Sequence, residues 1–281
     1  MDYSEAGRAW GLYGKVVVVA GGAGAKNGIG GATSILFARL GAKVAVLDVN
    51  QERAVETANL INAFAETAAL TRQVDVTHEE ELDRVVKEIM GHYGRIDVWA
   101  HIAGGHKGSM LIEEIPPEVW RANIELNLTG AFLGSRAALR VMKPQRQGKI
   151  VLVSSMAARR IGHVTSADYP SAKAGIITFT RQLAFEAGPF NINANAIAPG
   201  PTYEPNPDRD RKDGRVSMVP LQRIARPEDQ AKAIVFLASS WADMITGVTL
   251  DVDGGMYLGL TDYETYRAKH EQPSNSGTRR D

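Results

Sequence analysis

The chain contains no cysteine, and several other features of common protein classes are missing as well. Without cysteine there is no disulfide, no thiolate nucleophile and no cysteine-ligated metal. The six histidines show no His-x-x-x-His spacing, so we expect no metal site. No apolar run approaches the roughly 18 residues of a membrane-spanning helix, and the N-terminus is too polar for a signal peptide. We therefore expect a soluble, cytoplasmic protein that does not contact membranes.

An excess of either charge is also absent. The 32 basic and 32 acidic residues give a formal net charge of zero. A balanced surface favours neither nucleic acid nor an anionic membrane as a partner. The 281 residues are 44% hydrophobic and contain no obvious linker, so they can form one large domain with a sizeable core.

Short apolar runs alternate with helical segments along most of the chain. Runs without polar alternation, separated by helices, are typical of a parallel sheet covered on both faces. We predict a single α/β domain, a Rossmann-like doubly wound sheet, over residues 15–255, with an N-terminal extension at 1–14 and a C-terminal tail at 256–281. The predicted strands are 15–20, 43–48, 70–74, 96–102, 149–153, 192–197 and 249–252, and the predicted helices include 51–65, 79–93, 117–142, 169–187 and 227–237.

A glycine-rich stretch, residues 21–31, lies between the first predicted strand and the helix after it. This arrangement places backbone N–H groups and a helix dipole against a pyrophosphate, although a flexible turn would look similar. Asp48 ends the second strand, where a carboxylate can bind ribose hydroxyls and repel a 2′-phosphate. The pattern favours NAD over NADP. Asp48 could also cap the next helix, and Lys26 in the loop could accept a 2′-phosphate.

Tyr169 and Lys173 are one helical turn apart, and Pro170 between them suits the first turn of a helix. At about 4 Å and an effective dielectric of ~20, an ammonium favours the phenolate by about 4 kcal/mol. We therefore expect the pKa of Tyr169 to be lowered towards the working pH, giving an acid/base group. An aromatic residue packed on the core beside an exposed lysine is the alternative.

The motifs together resemble the short-chain dehydrogenase/reductase family in its common single-domain form. They are, in order, the glycine-rich turn, Asn127-Leu128-Thr129-Gly130, Ser154-Ser155 and Tyr169-x-x-x-Lys173. The resemblance implies that Tyr169 is the catalytic acid/base and that Lys173 lowers its pKa and binds the nicotinamide ribose. It also implies that Ser155 polarises the substrate carbonyl, and that Asn127 holds a water linking the lysine to solvent.

The resemblance implies a set of cofactor contacts and a homotetramer, or a dimer, built on the helices at 117–142 and 169–187. This chain departs from the family pattern at three places. Ala20 stands where threonine is usual, the glycine turn is about three residues longer, and His101-Ile102 replaces two asparagines. His101 can steady the central sheet as the asparagine does. The implied cofactor contacts are Gly21, Asn27, Gly28, Ile29, Gly30, Asp48, Val49, Asp75, Val76, Ala103, Gly104, Tyr169, Lys173, Pro199, Gly200 and Thr202.

The loops beyond the strand ends, at 105–115, 156–168 and 201–220, carry many cations and few large aromatic residues. Such a pocket suits a polar or anionic small molecule, for example a sugar acid, a hydroxy acid or a polyol. Solvated loop charges are the simpler explanation. Residues 203–215 read as a mobile lid or as a static surface loop. The candidate substrate contacts are His106, Ser155, Arg159, Arg160 and Tyr169.

The sequence thus predicts an NAD-dependent oxidoreductase that interconverts a secondary alcohol and a ketone by hydride transfer. Three alternatives stay open. They are an NADP-dependent reductase of an apolar ketone, a non-catalytic dinucleotide-binding regulator, and an isomerase or dehydratase that uses tightly held NAD.

Overall fold

A seven-stranded parallel sheet forms the centre of the protein in the computed structural model, with the strand order β3-β2-β1-β4-β5-β6-β7. The model describes residues 3–24, 27–106, 108–161, 165–204, 206, 214–259 and 261–271. The parallel strands in this order confirm the prediction of a doubly wound, Rossmann-like sheet. The strands are β1 Val16–Ala20, β2 Lys43–Asp48, β3 Leu70–Gln73, β4 Val98–His101, β5 Gly148–Val153, β6 Ile192–Pro199 and β7 Thr249–Val252.

Helices cover both faces of the sheet. They are α1 Tyr3–Ala9, α2 Ile29–Arg39, α3 Gln51–Asn62, α4 Glu79–Tyr93, α5 Pro117–Ile124, α6 Gly130–Gln145, α7 Asp168–Ala187, α8 Pro227–Ala238 and α9 Tyr263–Glu271. The helix predicted at 117–142 is divided, because the π-helical turn Glu125–Thr129 separates α5 from α6. Helices α1 and α9 were not predicted. Gly7 of α1 packs so closely on α2 that a Cβ there would lie 1.9 Å from the Leu40 carbonyl oxygen.

The apolar residues of β1 contribute to two hydrophobic cores, one on each face of the sheet, because successive side chains of a strand point to opposite faces. Val16 and Val18 pack in the core beneath α4, α6 and α7. Val17 and Val19 pack in the core beneath α2, α3 and α8. A strand buried on both faces reads as a continuous apolar run, which explains the valines of β1.

The strand order reverses at β1, which pairs with β2 on one side and with β4 on the other. Connections on the two sides of this point lead away from each other, so a crevice opens beyond the carboxyl ends of β1 and β4. The glycine-rich turn directly follows β1 and the Ser154-Ser155 motif directly follows β5 at this edge. In the part of the chain that the structure describes, no helix combines the length and apolar character needed to cross a bilayer.

Candidate active site

The glycine turn after β1 is too tight for side chains at two positions. Gly21 has a φ of +79°, in the left-handed region that favours glycine. A Cβ on Gly30, in the first turn of α2, would lie 1.8 Å from the Gly21 carbonyl oxygen. No described side chain caps the start of α2 at Gly28. The first N–H groups of this helix can therefore bind an anion, as the turn predicted.

Asp48 is held at the end of β2 by two backbone donors. Its Oδ2 accepts from the Ala23 N–H at 3.1 Å, and its Oδ1 accepts from the Asn50 N–H at 3.0 Å. The cap of α3 is Asn50, whose side chain accepts from the Arg53 N–H at 2.9 Å. Asp48 is thus not the helix cap, and each of its oxygens keeps a lone pair for a ribose hydroxyl.

Most of the expected cofactor contacts line one cleft with a volume of about 460 Å³. The sequence did not indicate Arg53, which also lines it. An Nη atom of Arg53 is 3.1 Å from the position of a Cβ on Gly24, a contact between α3 and the glycine turn that only the fold creates. The expected residues in the cleft are Gly21, Gly28, Ile29, Gly30, Asp48, Val49, Asp75, Val76, Ala103 and Gly104, joined by Ala23, Arg53, Ile102 and Leu126.

The other expected cofactor residues lie around this cleft. The Asn27 N–H donates to the Gly24 carbonyl at 3.0 Å within the turn. Pro199 ends β6, and Gly200 and Thr202 follow it. The Thr202 hydroxyl donates to the Gly200 carbonyl at 2.9 Å and accepts from Gln230 at 3.1 Å, so it is fixed at the same edge of the sheet.

Asp75 lines the cleft after β3. Its burial raises the pKa of the carboxyl, but two hydrogen bonds from Thr77 and the charge of His78 together outweigh burial and leave the pKa below its usual value. The Thr77 N–H and hydroxyl both donate to Asp75 Oδ1, at 2.9 and 2.7 Å. Asp75 is therefore a fixed carboxylate.

The structure brings Ser155, Tyr169 and Lys173 together at the carboxyl end of β5. Ser155 Oγ accepts from the Ala157 N–H at 3.1 Å and makes a hydrogen bond with Tyr169. Lys173 Nζ lies 5.6 Å from the centre of the Tyr169 ring and donates to the Val153 carbonyl at 2.9 Å. The two residues share a face of α7, as the four-residue spacing predicted.

Asn127 connects this cluster to the end of β4. It lies in the π-helical turn, with Oδ1 accepting from the Gly105 N–H at 3.0 Å and Nδ2 donating to the Gly105 carbonyl at 2.9 Å. Short π segments are often found at functional sites. A Cβ on Gly104 would lie 2.6 Å from Asn127 Oδ1 and 2.9 Å from Lys173 Nζ, so only glycine allows this approach.

The electrostatics of the pair differ from the expectation. Burial lowers the pKa of Lys173 to about 7, because the described residues offer its ammonium a carbonyl oxygen and no carboxylate. Burial also raises the pKa of Tyr169, and the hydrogen bond with Ser155 offsets this in part. The expected lowering of the Tyr169 pKa is therefore wrong for the protein by itself, since desolvation outweighs the attraction that was expected at 4 Å.

Of the candidate substrate contacts outside the cluster, His106 contacts Tyr169, with 5.1 Å between ring centres. The two arginines have other partners. Arg159 pairs with Asp251 at 3.3 Å, and Arg160 donates to the Met256 carbonyl at 2.8 Å. Most of the expected lid, residues 205 and 207–213, lies outside the described residues.

The comparisons with known proteins agree with this geometry. The family model described as enoyl-(acyl carrier protein) reductase matches residues 22–257. A 3-oxoacyl-(acyl-carrier-protein) reductase of Thermotoga maritima is 36% identical over 256 residues, which cover 88% of this chain and 99% of the relative. A cis-4-hydroxycyclohexanecarboxylate dehydrogenase of Sinomonas cyclohexanicum is 37% identical and covers 83% and 93%.

A solved structure of a reductase is also similar to this chain. A 3-oxoacyl-(acyl-carrier-protein) reductase with bound NAD from Brucella melitensis superposes with a TM-score of 0.79 at 29% identity, covering 88% of this chain and 92% of that one. The chain belongs to the short-chain dehydrogenase/reductase family. It is an oxidoreductase that acts on CH–OH groups or the corresponding carbonyls with a nicotinamide dinucleotide. The glycine turn and the uncapped N-terminus of α2 fit such a cofactor.

Proposed function

We propose that the protein is a cytoplasmic, NAD-dependent dehydrogenase that oxidises a secondary alcohol carrying a polar or anionic group, such as a hydroxy acid, a sugar acid or a polyol. The observation that carries this proposal is the grouping of Ser155, Tyr169 and Lys173, whose lysine lies beside Gly104, a residue that lines the same cleft as Asp48. The name of the Sinomonas relative, which acts on a cyclic hydroxy acid, supports the substrate class.

The residues divide the chemistry between them. A bound nicotinamide ring supplies the hydride acceptor or donor. Tyr169 takes the proton from the alcohol oxygen during oxidation and returns it to the carbonyl oxygen during reduction. Ser155, held by the Ala157 N–H, orients that oxygen. The raised pKa of Tyr169 makes the free protein a proton donor at neutral pH, so oxidation should gain rate as the pH rises.

The preference for NAD rests on the charge of Asp48. A 2′-phosphate at the ribose would meet this carboxylate, while two ribose hydroxyls can donate to it. Arg53, which lies beside Gly24 and lines the same cleft as Asp48, provides a cation that weakens the repulsion. We therefore expect NAD to be preferred and NADP to be tolerated.

The experiment that tests the proposal is a panel of hydroxy acids, polyols and simple secondary alcohols, assayed by NADH absorbance with NAD and NADP in parallel. A second candidate, reduction of a 3-oxoacyl thioester with NADPH, follows from the Thermotoga relative and belongs in the same panel. Turnover of the thioester with NADPH and of no alcohol with NAD would overturn the proposal. Product formed without a change in NADH would indicate an isomerase or dehydratase.

Asp48→Ala tests the cofactor choice. We expect the ratio of kcat/KM for NAD over NADP to fall at least about tenfold, since hydrogen bonds to a carboxylate contribute roughly 1.5–3 kcal/mol. The matched control is Asp83→Ala, which removes an exposed carboxylate of α4 that pairs with Arg140 of α6. It should leave the ratio unchanged. An unchanged ratio in Asp48→Ala would remove this residue from the ribose.

We also propose that the protein forms a homotetramer through α5, α6 and α7. Exposed aromatic side chains on these helices support the proposal: Phe185 is 82% exposed, Phe132 41% and Trp120 39%. Apolar surface of this kind is typical of interfaces between subunits. Light scattering of Phe185→Glu should show a smaller assembly than the unaltered protein, and a monomer in both would contradict the proposal.

A further inference from the structure

Asp168 is a buried carboxylate directly before Tyr169, and the chemistry proposed above does not use it. It is the first residue of α7 and is 2% exposed. A buried carboxylate is stable only when hydrogen-bond donors replace the lost water. In the part of the chain that the structure describes, both of its donors are neutral groups. The elements that supply these donors show what Asp168 connects.

The two donors come from two different helices. The Tyr169 backbone N–H, on α7, donates to Asp168 Oδ1 at 2.9 Å. The Asn123 side-chain Nδ2, on α5, donates to Asp168 Oδ2. The orientation of this amide is fixed, because the same Nδ2 faces the Val119 carbonyl and two acceptors require the NH₂ group on that side. Asp168 therefore links the backbone of Tyr169 to α5.

The link continues from Asn123 to Asn127, the residue expected to serve the catalytic lysine. The Asn123 carbonyl accepts from Asn127 Nδ2 at 3.0 Å, and the same Nδ2 donates to the Gly105 carbonyl at 2.9 Å. Asn123 thus contacts Asp168 through its side chain and Asn127 through its backbone. One residue of α5 therefore connects the start of the helix that carries Tyr169 with the π-helical turn that carries Asn127.

We propose that Asp168 and Asn123 are positioning residues, which hold the first turn of α7 and with it the hydroxyl of Tyr169. Tyr169 is the second residue of α7, where backbone N–H groups have no partner within the helix. Without Asp168 this turn is free to fray, and proton transfer depends steeply on the distance between the reacting groups. Asp168 is buried, so it acts through Tyr169 and does not reach the substrate. The inference rests on the acid/base role of Tyr169 in the proposed function.

The test exchanges the two side chains. Asn123→Asp places one carboxylate against another, so we expect kcat to fall at least about tenfold while the affinity for NAD is retained. Adding Asp168→Asn restores one donor and one acceptor between the helices, and kcat should recover to within about threefold of the unaltered protein. Ser171→Ala is the matched control and should leave kcat unchanged, since it removes a hydrogen bond of the same turn that involves neither residue. No loss in Asn123→Asp, or no recovery in the exchanged variant, would overturn the proposal.

A measurement without substrate decides if Asn123→Asp does not fold or if the panel yields no substrate. Hydrogen exchange of the Tyr169 amide, in protein labelled with ¹⁵N-tyrosine and assigned by signal loss in Tyr169→Phe, reports the bond to Asp168 directly. Asn123→Ala removes the donor without adding a charge, so we expect this amide to exchange at least about tenfold faster, and Ser171→Ala should not change its rate. Equal rates in Asn123→Ala and the unaltered protein would refute the link even if the panel succeeds. Faster exchange with a failed panel would remove the proposed function alone.

Discussion

A buried charged side chain at one edge of the sheet, Asp97, can be compared with one at the other edge, Lys173, because the two differ in their pairing. At the amino edge, Asp97 is 4% exposed and accepts from the Val16 N–H at 2.9 Å and from Arg95 Nε at 2.9 Å, with Lys15 at 3.5 Å. At the carboxyl edge, Lys173 is 2% exposed and donates to the Val153 carbonyl. No carboxylate pairs with it in the part of the chain that the structure describes.

The difference shows which edge is structural and which is functional. A buried charge with full pairing joins the elements that supply its partners, here the start of β1 and the segment before β4. A buried charge without a counter-ion destabilises the folded protein. Its pKa shifts towards the neutral form, and for Lys173 this means a lowered pKa. Such shifts are concentrated at active sites, where a ligand or a reaction uses the unpaired charge. The comparison predicts that changes at Asp97 affect folding and changes beside Lys173 affect turnover.

The strongest test of the comparison is Tyr169→Phe at the carboxyl edge. We expect kcat to fall at least about 10³-fold, because the variant lacks the proton carrier, while the affinity for NAD is retained. Steady-state kinetics and calorimetric titration with NAD measure the two effects. The melting temperature should change little. Near-normal turnover would force a new assignment of the acid/base.

At the amino edge, Asp97→Asn should destabilise the protein by about 2–3 kcal/mol with kcat unchanged. Removing one member of a buried pair leaves its partners uncompensated, and the partial exposure of Arg95 and Lys15 keeps the cost below that of a fully buried pair. Urea denaturation measures the loss. Asp83→Asn is the control, since its pair with Arg140 is exposed and should contribute less than about 1 kcal/mol. Equal losses in both variants would contradict the comparison.

Lys173→Met should stabilise the protein at pH 6 by about 1–2 kcal/mol, after allowing for the lost hydrogen bond to Val153. The pKa of Lys173 is lowered from 10.5 to about 7 by burial. Between these values the unfolded chain binds a proton that the folded chain does not, so the stability of the unaltered protein falls as the pH falls towards 7. Below pH 7 the penalty is constant. The gain in Lys173→Met should therefore shrink as the pH rises to 10, and a gain independent of pH would show that Lys173 carries no such penalty.

Local patterns predicted the elements that bury an apolar stripe. The strand at 43–48 and the helix at 79–93 have their predicted bounds. The π-helical turn at Asn127 was not predicted, and Asn127 contacts Gly105, which is 22 residues away along the chain. Helix α1 was also missed, since its apolar content is low and a docked glycine, Gly7, gives no helical signal.

The sequence by itself determined the order of strands and helices, the glycine turn and the spacing of Tyr169 and Lys173, because each depends on residues close together in the chain. Tertiary structure alone decided the charges and partners of the site. Burial raised the pKa of Tyr169 and lowered that of Lys173. Arg159 pairs with Asp251, and Arg53 contacts the glycine turn. Desolvation and long-range contacts depend on which elements pack together, and spacing along the chain does not contain that information.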